Sequence, residues 1–361
     1  MSSNTKKILS ILNPRKVWIP ASIGIGFVVY MIFTDDNFSP ERLNLIFMAR
    51  IWPVVLAFVV VVIKEWAYIY RIRVLSGNYL SWTASSYIIF LWEFASAVTP
   101  SVVGGTPVAV FLMMKEGIKL GKSMAYAMLT AILDNVYLVV MAPILFFLMK
   151  DHLFSKLGVN EDWSAGLQSV FFISYGLVIT YTVIMAFALF IKPRVFKWIL
   201  IKITSIGFLK KWRYDAYLHG EEVMMASKEL RGTTREYWYK VSGATFVTWT
   251  ARFILLNILI MAYVDITWFD HFIAFGKNVA LWIIMLASPT PGSSLAAELG
   301  FAKLFDVTLE QYTGAITIFW RLLTYYPFLI IGTLILPKWI NRVFYRKKVK
   351  AVADEGKAPV E

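Results

Sequence analysis

Long runs of hydrophobic side chains, separated by short polar segments, make up most of this sequence. A helix needs about 20 consecutive apolar residues to cross the ~30 Å hydrocarbon core of a bilayer. Six runs meet or approach this length and predict helices that cross a membrane. The predicted spans cover residues 17–34, 44–63, 123–149, 167–191, 241–264 and 310–336.

Two further apolar stretches, 83–114 and 278–305, are interrupted by residues that a buried helix avoids. The first contains the segment VTPSVVGGTP and the second contains LASPTPGSSLAAELG. Proline removes a backbone donor, and paired glycines weaken a helix through their conformational freedom. Non-helical backbone at membrane depth survives only where it is buried in protein or lines a wet cavity. Each break therefore marks either the tip of a re-entrant hairpin or an interruption in a full crossing.

The distribution of lysine and arginine distinguishes these two topologies, because cytoplasmic segments carry an excess of both residues. If both interrupted stretches are hairpins, 28 basic residues lie inside and five lie outside. If both cross fully, the split is 17 inside against 16 outside. The segment from Val108 to Met114 also gives only about 10 Å of helix, which is too short to cross. The sequence therefore predicts two re-entrant hairpins.

The order of these elements repeats in inverted form. The first set is span 44–63, hairpin 83–114 and span 123–149. Span 241–264, hairpin 278–305 and span 310–336 follow the same order but run through the membrane in the opposite direction. Such a repeat places the two tips near each other at the middle of the membrane. The predicted fold class is an all-α integral membrane protein with six full transmembrane helices and two opposed re-entrant hairpins.

The two hairpin tips are candidate sites for an anionic group. Thr106 can cap a short helix at the first tip, and Ser293 or Ser294 can do so at the second. Half-helices that begin there present unpaired, partly positive N–H groups. The alternative is that Gly104 and Gly105 only allow close helix packing. The candidate tip residues are Pro100, Gly104, Gly105, Thr106, Pro289, Pro291, Gly292, Ser293 and Ser294.

The composition agrees with a membrane protein. Of the 361 residues, 58% are hydrophobic and 16% are charged, and the mean hydropathy is +0.63, whereas about 25% of a soluble protein is charged. The absence of cysteine excludes disulfides and thiolate metal sites. The net charge is +13, and the basic residues responsible for it lie between the spans. This placement indicates basic loops near lipid headgroups and not nucleic-acid binding. The first apolar run has no small-residue cleavage site and is expected to be a retained span.

Six ionisable residues fall within the apolar stretches, where a charge is costly and usually faces a bundle interior or a water cavity. They are Arg50, Glu93, Asp134, Arg252, Glu298 and Arg321. One interpretation is a polar cavity in which Arg252 and Arg321 grip a phosphate-bearing headgroup, because a guanidinium group meets phosphate oxygens through two parallel hydrogen bonds. The other is internal ion pairing, for example Asp134 with Arg321, that only holds the helices in register.

Four of these residues have further interpretations. Arg50 lies near the outer end of its span and can extend to the headgroups. Glu298 can complement a helix dipole in a first turn. Glu93 and Asp134 can act as proton-coupling carboxylates.

Three polar regions flank or interrupt the predicted membrane domain, which covers residues 17–336. Residues 1–16 form a basic N-terminus, and residues 337–361 form a basic tail; both are expected on the cytoplasmic side. The loop 192–240 combines eleven basic residues with several aromatic ones. It is either a pair of amphipathic helices in the headgroup zone or an ordinary solvated loop.

Signals of an enzyme are missing. The three histidines, His152, His219 and His271, all lie in predicted loops on different sides of the membrane. No HEXXH spacing, His-carboxylate acyltransferase spacing or glycine-rich phosphate loop occurs. The chain is expected to be no enzyme, to hold no metal and to need no cofactor.

The stretch PSVVGGTPVAVFLMMKEGIKLGKSMAYAMLTAILD resembles the first signature of the flippase-like family. This family comprises the membrane domain of lysylphosphatidylglycerol synthases (multiple peptide resistance factors) and its stand-alone relatives. The matching positions of the first signature are Pro100, Gly104, Gly105, the Lys115-Glu116-Gly117 turn and Asp134. The second signature is similar at Pro289, Pro291, Gly292 and Glu298, with Arg321 in the next span. Ser293 and Ser294 stand where many members have further glycines.

The resemblance covers about residues 15 to 340 and implies a lipid-translocating or lipid-handling role. Because the soluble aminoacyl-transferase domain of the synthases is absent, the chain is not expected to make their lipid. The expected function is exchange of a phospholipid or lipid-linked anionic headgroup between leaflets without ATP hydrolysis. Two alternatives are a membrane scaffold for a separate cytoplasmic lipid-modifying enzyme and an ion-coupled carrier of a small anion. The expected location is a bacterial cytoplasmic membrane, and a homo-oligomer is left open.

Overall fold

The structure is a computed structural model that describes residues 44–99, 105–149, 161–286 and 293–346. The predicted span 17–34, the N-terminus 1–16 and most of the tail lie outside the described residues. The same is true of five candidate tip residues, which are Pro100, Gly104, Pro289, Pro291 and Gly292.

Within the described residues every regular element is helical, which confirms the all-α prediction. The α-helices are α1 (Ile51–Leu75), α2 (Trp82–Val98), α3 (Thr106–Lys115), α4 (Leu120–Met149), α5 (Glu161–Ala186), α6 (Pro193–Ile203), α7 (Arg213–Arg231), α8 (Arg235–Met261), α9 (Trp268–Leu286), α10 (Ser294–Leu309), α11 (Thr313–Thr324) and α12 (Tyr326–Ile340). Short 3₁₀ or π segments cover Asn44–Met48, Phe187–Ile191, Gly207–Trp212, Glu310–Tyr312 and Asn341–Arg346.

Six helical stretches of the described chain are long and apolar enough to cross a membrane. They are Ile51–Leu75, Leu120–Met149, Gly166–Ile191, Arg235–Met261, Trp268–Leu286 and Thr313–Val343. Five correspond to predicted spans, with shifted ends. The sixth, α9, contains the start of the stretch 278–305 and begins ten residues before it.

The first span differs most from its prediction. Residues 44–48 form a 3₁₀ turn, and α1 extends from Ile51 to Leu75 instead of ending at residue 63. The continuation carries Lys64, Glu65 and Arg71, all of which are buried. Buried charges are tolerated when they are paired. Lys64 and Arg71 have partners on neighbouring helices, described below, and Glu65 pairs with Lys64. The predicted loop 64–82 therefore shrinks to residues 76–81, and all three of its basic residues, Lys64, Arg71 and Arg73, lie within α1.

The first interrupted stretch forms two helices of unequal length. The hydroxyl oxygen of Ser81 caps α2 by accepting a hydrogen bond from the N–H of Ala84 at 3.2 Å. Ser293 precedes α10 in the second stretch, with a left-handed φ of 52°. Its hydroxyl donates to the carbonyl of Met285 at 2.9 Å, and α10 packs back against α9. Both stretches thus contain a helix, a break and a second helix that contacts the first.

The last predicted span is also interrupted. Helix α11 ends at Thr324 and α12 begins at Tyr326, because Pro327 near the start of α12 has no N–H to continue the hydrogen-bond ladder. Tyr325 sits between the two helices with a backbone outside the helical region (φ −126°, ψ −61°). The break lies four residues after Arg321.

Helices α1 and α8 form the most extensive helix–helix contact. Three apolar clusters surround this pair: one on α2, α3, α4 and α12, one on α8 to α11, and one where α4, α5, α8 and α9 meet. Helix α12 lies close against α2 at Gly332, where a Cβ would overlap the ring of Phe94.

The Lys115-Glu116-Gly117 turn holds three parts of the chain together. The buried Glu116 carboxylate accepts hydrogen bonds from Trp339 Nε1 and Arg342 Nη2, both at 3.0 Å. Gly117 has a φ of 109°, which favours glycine. Its carbonyl accepts a hydrogen bond from the hydroxyl of Tyr79 at 3.3 Å.

The region 192–240 contains helices, as the amphipathic interpretation expected. Helix α6 exposes Trp198, Ile199 and Ile203, while Lys197 pairs with Glu221 on α7. This hydrogen bond holds the pKa of the Glu221 carboxyl below its ordinary value.

Candidate functional site

A cavity of about 200 Å³ lies between the helices, and aromatic side chains share its wall with charged ones. Three arginines and two carboxylates line it, together with seven tryptophan or tyrosine residues. The charged lining residues are Arg71, Glu93, Asp134, Arg252 and Arg321, and the tryptophan and tyrosine residues are Tyr68, Trp92, Tyr181, Trp249, Trp282, Trp320 and Tyr325.

Arg252, on α8, is the most extensively surrounded of these arginines. Its Nη2 donates hydrogen bonds to Glu93 Oε1 and to the hydroxyl of Tyr68, each at 3.2 Å. The guanidinium carbon lies 4.5 Å from the ring centre of Trp282 and 5.3 Å from that of Trp249. Such cation–π contacts favour a desolvated cation. Nε of Arg252 is buried and has no hydrogen-bond partner among the described residues.

Arg71, on α1, forms the second ion pair of the cavity. It pairs with Asp134 on α4, and its Nη1 also donates to the hydroxyl of Thr245 at 3.1 Å. Asp134 Oδ1 in turn accepts a hydrogen bond from Trp249 Nε1 at 2.7 Å. Trp249 thus contacts both pairs: it orients Asp134 and stacks near Arg252.

Arg321 occupies the side of the cavity formed by α11. Its guanidinium carbon lies 4.1 Å from the ring centre of Tyr325, the residue at the break between α11 and α12. The Tyr325 hydroxyl donates to the carbonyl of Ala97 at 3.2 Å, near the end of α2. The break in the last span therefore places an aromatic ring against Arg321 and ties it to the first interrupted stretch.

A lysine and a glutamate extend the Arg252–Glu93 pair along α1. Lys64 Nζ lies 2.6 Å from Glu65 Oε1 and 3.8 Å from Glu93 Oε1, and 4.8 Å from the ring centre of Phe328. Glu93 thus faces two cations from different helices.

The structure brings together five of the predicted site residues, because Glu93, Thr106, Asp134, Arg252 and Arg321 all line the cavity. The described contacts of Asp134 go to Arg71 and Trp249 and not to Arg321, which was the example of internal pairing. Ion pairing does occur inside the cavity. Binding of a phosphate-bearing headgroup by Arg252 and Arg321 stays a prediction.

Arg50 lies elsewhere, at the start of α1. Its Nη1 and Nη2 donate to the two carboxylate oxygens of Asp265 at 2.5 and 2.7 Å. Both side chains are exposed, and this pair holds the pKa of Asp265 below its ordinary value.

The remaining tip residues have mainly structural surroundings. Gly105 is buried at the start of α3, and a Cβ there would overlap Ser96 and Trp92 on α2. This close approach agrees with the packing interpretation of the paired glycines. Ser293 is buried, and its hydroxyl donates a hydrogen bond to the carbonyl of Met285. Ser294 is the first residue of α10. Glu298 lies within α10.

Several residues of the site were missed from the sequence, notably Lys64, Tyr68 and Arg71. All three lie beyond residue 63, where the predicted first span ended. Their spacing of four and three residues places them on one helix face, and this spacing was the available signal. Trp249 and Trp282 gave no comparable signal, because aromatic residues are frequent throughout the chain.

The chemistry of the cavity suits an anion with an apolar neighbour. Guanidinium groups supply fixed positive charge and paired donors, and indole and phenol rings supply apolar faces. No group of three or more His, Cys, Asp or Glu side chains that could hold a metal occurs in the described part of the chain.

The fold and this cavity define a polytopic α-helical integral membrane protein with charged groups inside its helix bundle. Residues 17–332 match the family described as the lysylphosphatidylglycerol synthase transmembrane region, and the chain belongs to this family. This confirms the resemblance seen in the sequence. The chain is also similar to a protein named UPF0104 membrane protein from Archaeoglobus fulgidus, with 25% identity over 277 residues, which cover 73% of this chain and 79% of the relative. No solved structure matches the chain.

Proposed function

We propose that this protein binds a phospholipid or lipid-linked anionic headgroup in the cavity and exchanges it between the two leaflets without ATP hydrolysis. The observation that carries the proposal is the placement of three guanidinium groups, from Arg71, Arg252 and Arg321, in one cavity of a membrane domain. A charge at membrane depth is costly and usually marks a substrate path.

The ion pairs of the cavity suggest how a headgroup is accepted. Arg252 pairs with Glu93, and Arg71 pairs with Asp134. A phosphate group that enters competes with these carboxylates for the same guanidinium donors. The planar carboxylate and the tetrahedral phosphate both carry oxygen atoms that accept paired hydrogen bonds from a guanidinium group. The carboxylates then act as internal counter-ions that keep the arginines compensated whenever the site holds no headgroup.

The topology proposed with this function is an inverted repeat of two opposed hairpins. Helices α1 to α4 and α8 to α12 each follow the order span, interrupted stretch, span. Helix α3 has ten residues, about 15 Å of helix, which is too short to cross. Tyr325 and Gly105, one from each half, lie beside residues of the same cavity. Both termini are proposed to lie in the cytoplasm and the chain in a bacterial cytoplasmic membrane.

The basic-residue count still favours this topology after correction. Lys64, Arg71 and Arg73 lie in α1 and not in a loop, so the inside total falls from 28 to 25, against at most five outside. A ratio of this size is typical of the positive-inside rule.

The proposal is tested by lipid scrambling in proteoliposomes that contain a fluorescent phosphatidylglycerol. Arg252→Ala and Arg321→Ala should each lower the scrambling rate at least about tenfold, because one charge-assisted hydrogen bond is worth about 1.5–3 kcal/mol. Arg50→Ala is the matched control, since it removes an arginine outside the cavity and should leave the rate unchanged.

Equal rates for all three variants and the wild type, with the proteins folded, would refute the proposal. A loss of cellular function only when the basic residues of 192–240 are neutralised would favour the scaffold alternative. Uptake of a small soluble anion that depends on pH and is lost in Glu93→Gln would favour the ion-coupled carrier, because Glu93 lines the cavity.

A further inference from the structure

A second polar pocket lies at the end of the bundle that carries the turn 76–81, away from Arg50. It is lined by polar side chains from the first turns of α2 and from the end of α12. The lining residues are Ser81, Thr83, Tyr87, Lys338, Asn341 and Arg342. None of these described lining residues is acidic, so the pocket offers cations, hydroxyl groups and an amide.

The guanidinium group of Arg342 is fixed in this pocket. Its Nη2 donates to Glu116 Oε2 at 3.0 Å, and its carbon lies 5.5 Å from the ring centre of Tyr87. Nη1 is buried and has no hydrogen-bond partner among the described residues. A buried donor without an acceptor is costly, so an acceptor that reaches Nη1 is favoured.

Lys338 adds a second positive charge from the preceding turn of α12. Lys338 and Arg342 are four residues apart, so their side chains lie on the same face of the chain end. Lys338 is exposed, whereas Glu116 already compensates Arg342. The pocket is therefore formally positive by one charge.

The start of α2 adds to this potential. Ser81 caps the helix through its hydroxyl oxygen, and the first turn of α2 contains no acidic residue. The N–H groups of a first helical turn have no acceptor within the helix and carry a partial positive charge. Two basic side chains, hydroxyl groups and this helix end together match the donors that bind a phosphate group.

We infer that this pocket is a phosphate-group site, separate from the cavity between the helices. No residue lines both, and Thr83 and Glu93 lie ten residues apart on α2, about 15 Å along the helix. The phosphate belongs either to a lipid headgroup or to a soluble phosphate compound. The inference does not depend on transport by the cavity, because it rests on different side chains.

The site is tested with the purified protein in detergent and two probes, inorganic phosphate and a short-chain phosphatidic acid. Binding is measured by titration calorimetry at low salt. Lys338→Gln removes the exposed charge of the pocket without touching the Glu116–Arg342 pair. Lys228→Gln is the matched control, because it removes one exposed lysine of α7 outside the pocket. Thr83→Val is a second pocket variant that replaces a hydroxyl group by a methyl group.

Lys338→Gln should weaken probe binding about tenfold, because it removes one charge-assisted hydrogen bond to the phosphate group. Lys228→Gln should leave probe binding unchanged. If Lys338→Gln weakens the binding of both probes, the pocket recognises the phosphate group itself. If it weakens only the binding of phosphatidic acid, the pocket binds a lipid headgroup. If it weakens only the binding of inorganic phosphate, the pocket binds a soluble phosphate compound. If neither probe binds, or if Lys338→Gln and Thr83→Val bind both probes as well as Lys228→Gln does, the inference is wrong.

Discussion

Arg252 donates a hydrogen bond from Nη2 to Oε1 of Glu93, 3.2 Å away, although 159 positions of sequence separate the two residues. Arg252 comes from the first span of the second half of the proposed repeat and Glu93 from the interrupted stretch of the first half. A buried charge without its partner is strongly unfavourable, whereas a paired one is tolerated. The contact therefore links α2 to α8 across the cavity through a pair of opposite charges.

The Arg252–Glu93 pair should show a strong energetic coupling. We expect Arg252→Leu alone to lower the free energy of unfolding by about 3–5 kcal/mol, because it leaves Glu93 near one lysine only. The double variant Arg252→Leu, Glu93→Leu should lose less unfolding free energy than the two single variants lose together. The difference, the coupling energy, should be about 1–3 kcal/mol. Unfolding in mixed detergent micelles, followed by circular dichroism, measures these values.

The exposed pair Glu236–Lys240 on α8 is the control for this cycle. It has the same charges at a separation of four residues but is open to solvent. Its double-mutant cycle should show no measurable coupling, because solvent screens exposed pairs. Additive effects at Arg252 and Glu93 as well would contradict the role given to the pair.

Gly332 should tolerate no side chain, because α12 approaches the ring of Phe94 at this residue. Gly332→Ala should destabilise the protein by about 1–3 kcal/mol through overpacking. Gly243→Ala, on α8, is the matched control, since a Cβ there meets no atom within 4 Å. It should be neutral or stabilising by up to ~1 kcal/mol, as expected for alanine in a helix. Thermal unfolding midpoints check both, and a Phe94→Leu change should restore part of the Gly332→Ala loss.

The topology can be checked by cysteine labelling, because the chain contains no cysteine of its own. Lys119→Cys and Ser205→Cys replace exposed residues that the proposed topology places in the cytoplasm. A membrane-impermeant maleimide added to intact cells should not label them, whereas it should label Asp265→Cys. Labelling of positions 119 and 205 from outside would contradict the two hairpins and would favour full crossings.

The Arg50–Asp265 pair should stop contributing to the stability of the fold only at low pH. Arg50 holds the pKa of Asp265 below its ordinary value of about 3.9. A depressed folded-state pKa gives a stabilisation that is complete above the unfolded-state pKa and is lost as the pH falls through the folded-state value. The difference in thermal midpoint between the wild type and Asp265→Asn should therefore be constant from pH 7 to pH 5 and should shrink towards pH 3. A difference that changes between pH 7 and pH 5 would contradict this assignment.

The length and order of the helices could be predicted well from the sequence. The spans predicted at 123–149 and 167–191 agree with the structure to within a few residues, and the breaks in both interrupted stretches fall between described helices. Span length follows from local hydrophobicity and the thickness of a bilayer, and helix breaks follow from local proline and glycine residues. Neither property requires knowledge of the rest of the chain.

The partners of the charged residues could not be predicted in this way. Lys64, Glu65 and Arg71 looked like a polar loop, and the end of the first span was therefore placed too early. In the folded chain Glu93, from α2, compensates the charge of Lys64, and Asp134, from α4, compensates that of Arg71, so the helix can continue through these residues.

The sequence by itself determined that this is an all-α membrane protein of the lysylphosphatidylglycerol synthase transmembrane family, and where most of its helices lie. Only the tertiary structure decided which charges share the cavity, that Arg50 stands apart from them and that Trp249 and Trp282 stack on Arg252. The physical reason is that apolar runs act through their local sequence, whereas a charge inside a membrane is stabilised only by a partner that folding brings from a distant segment.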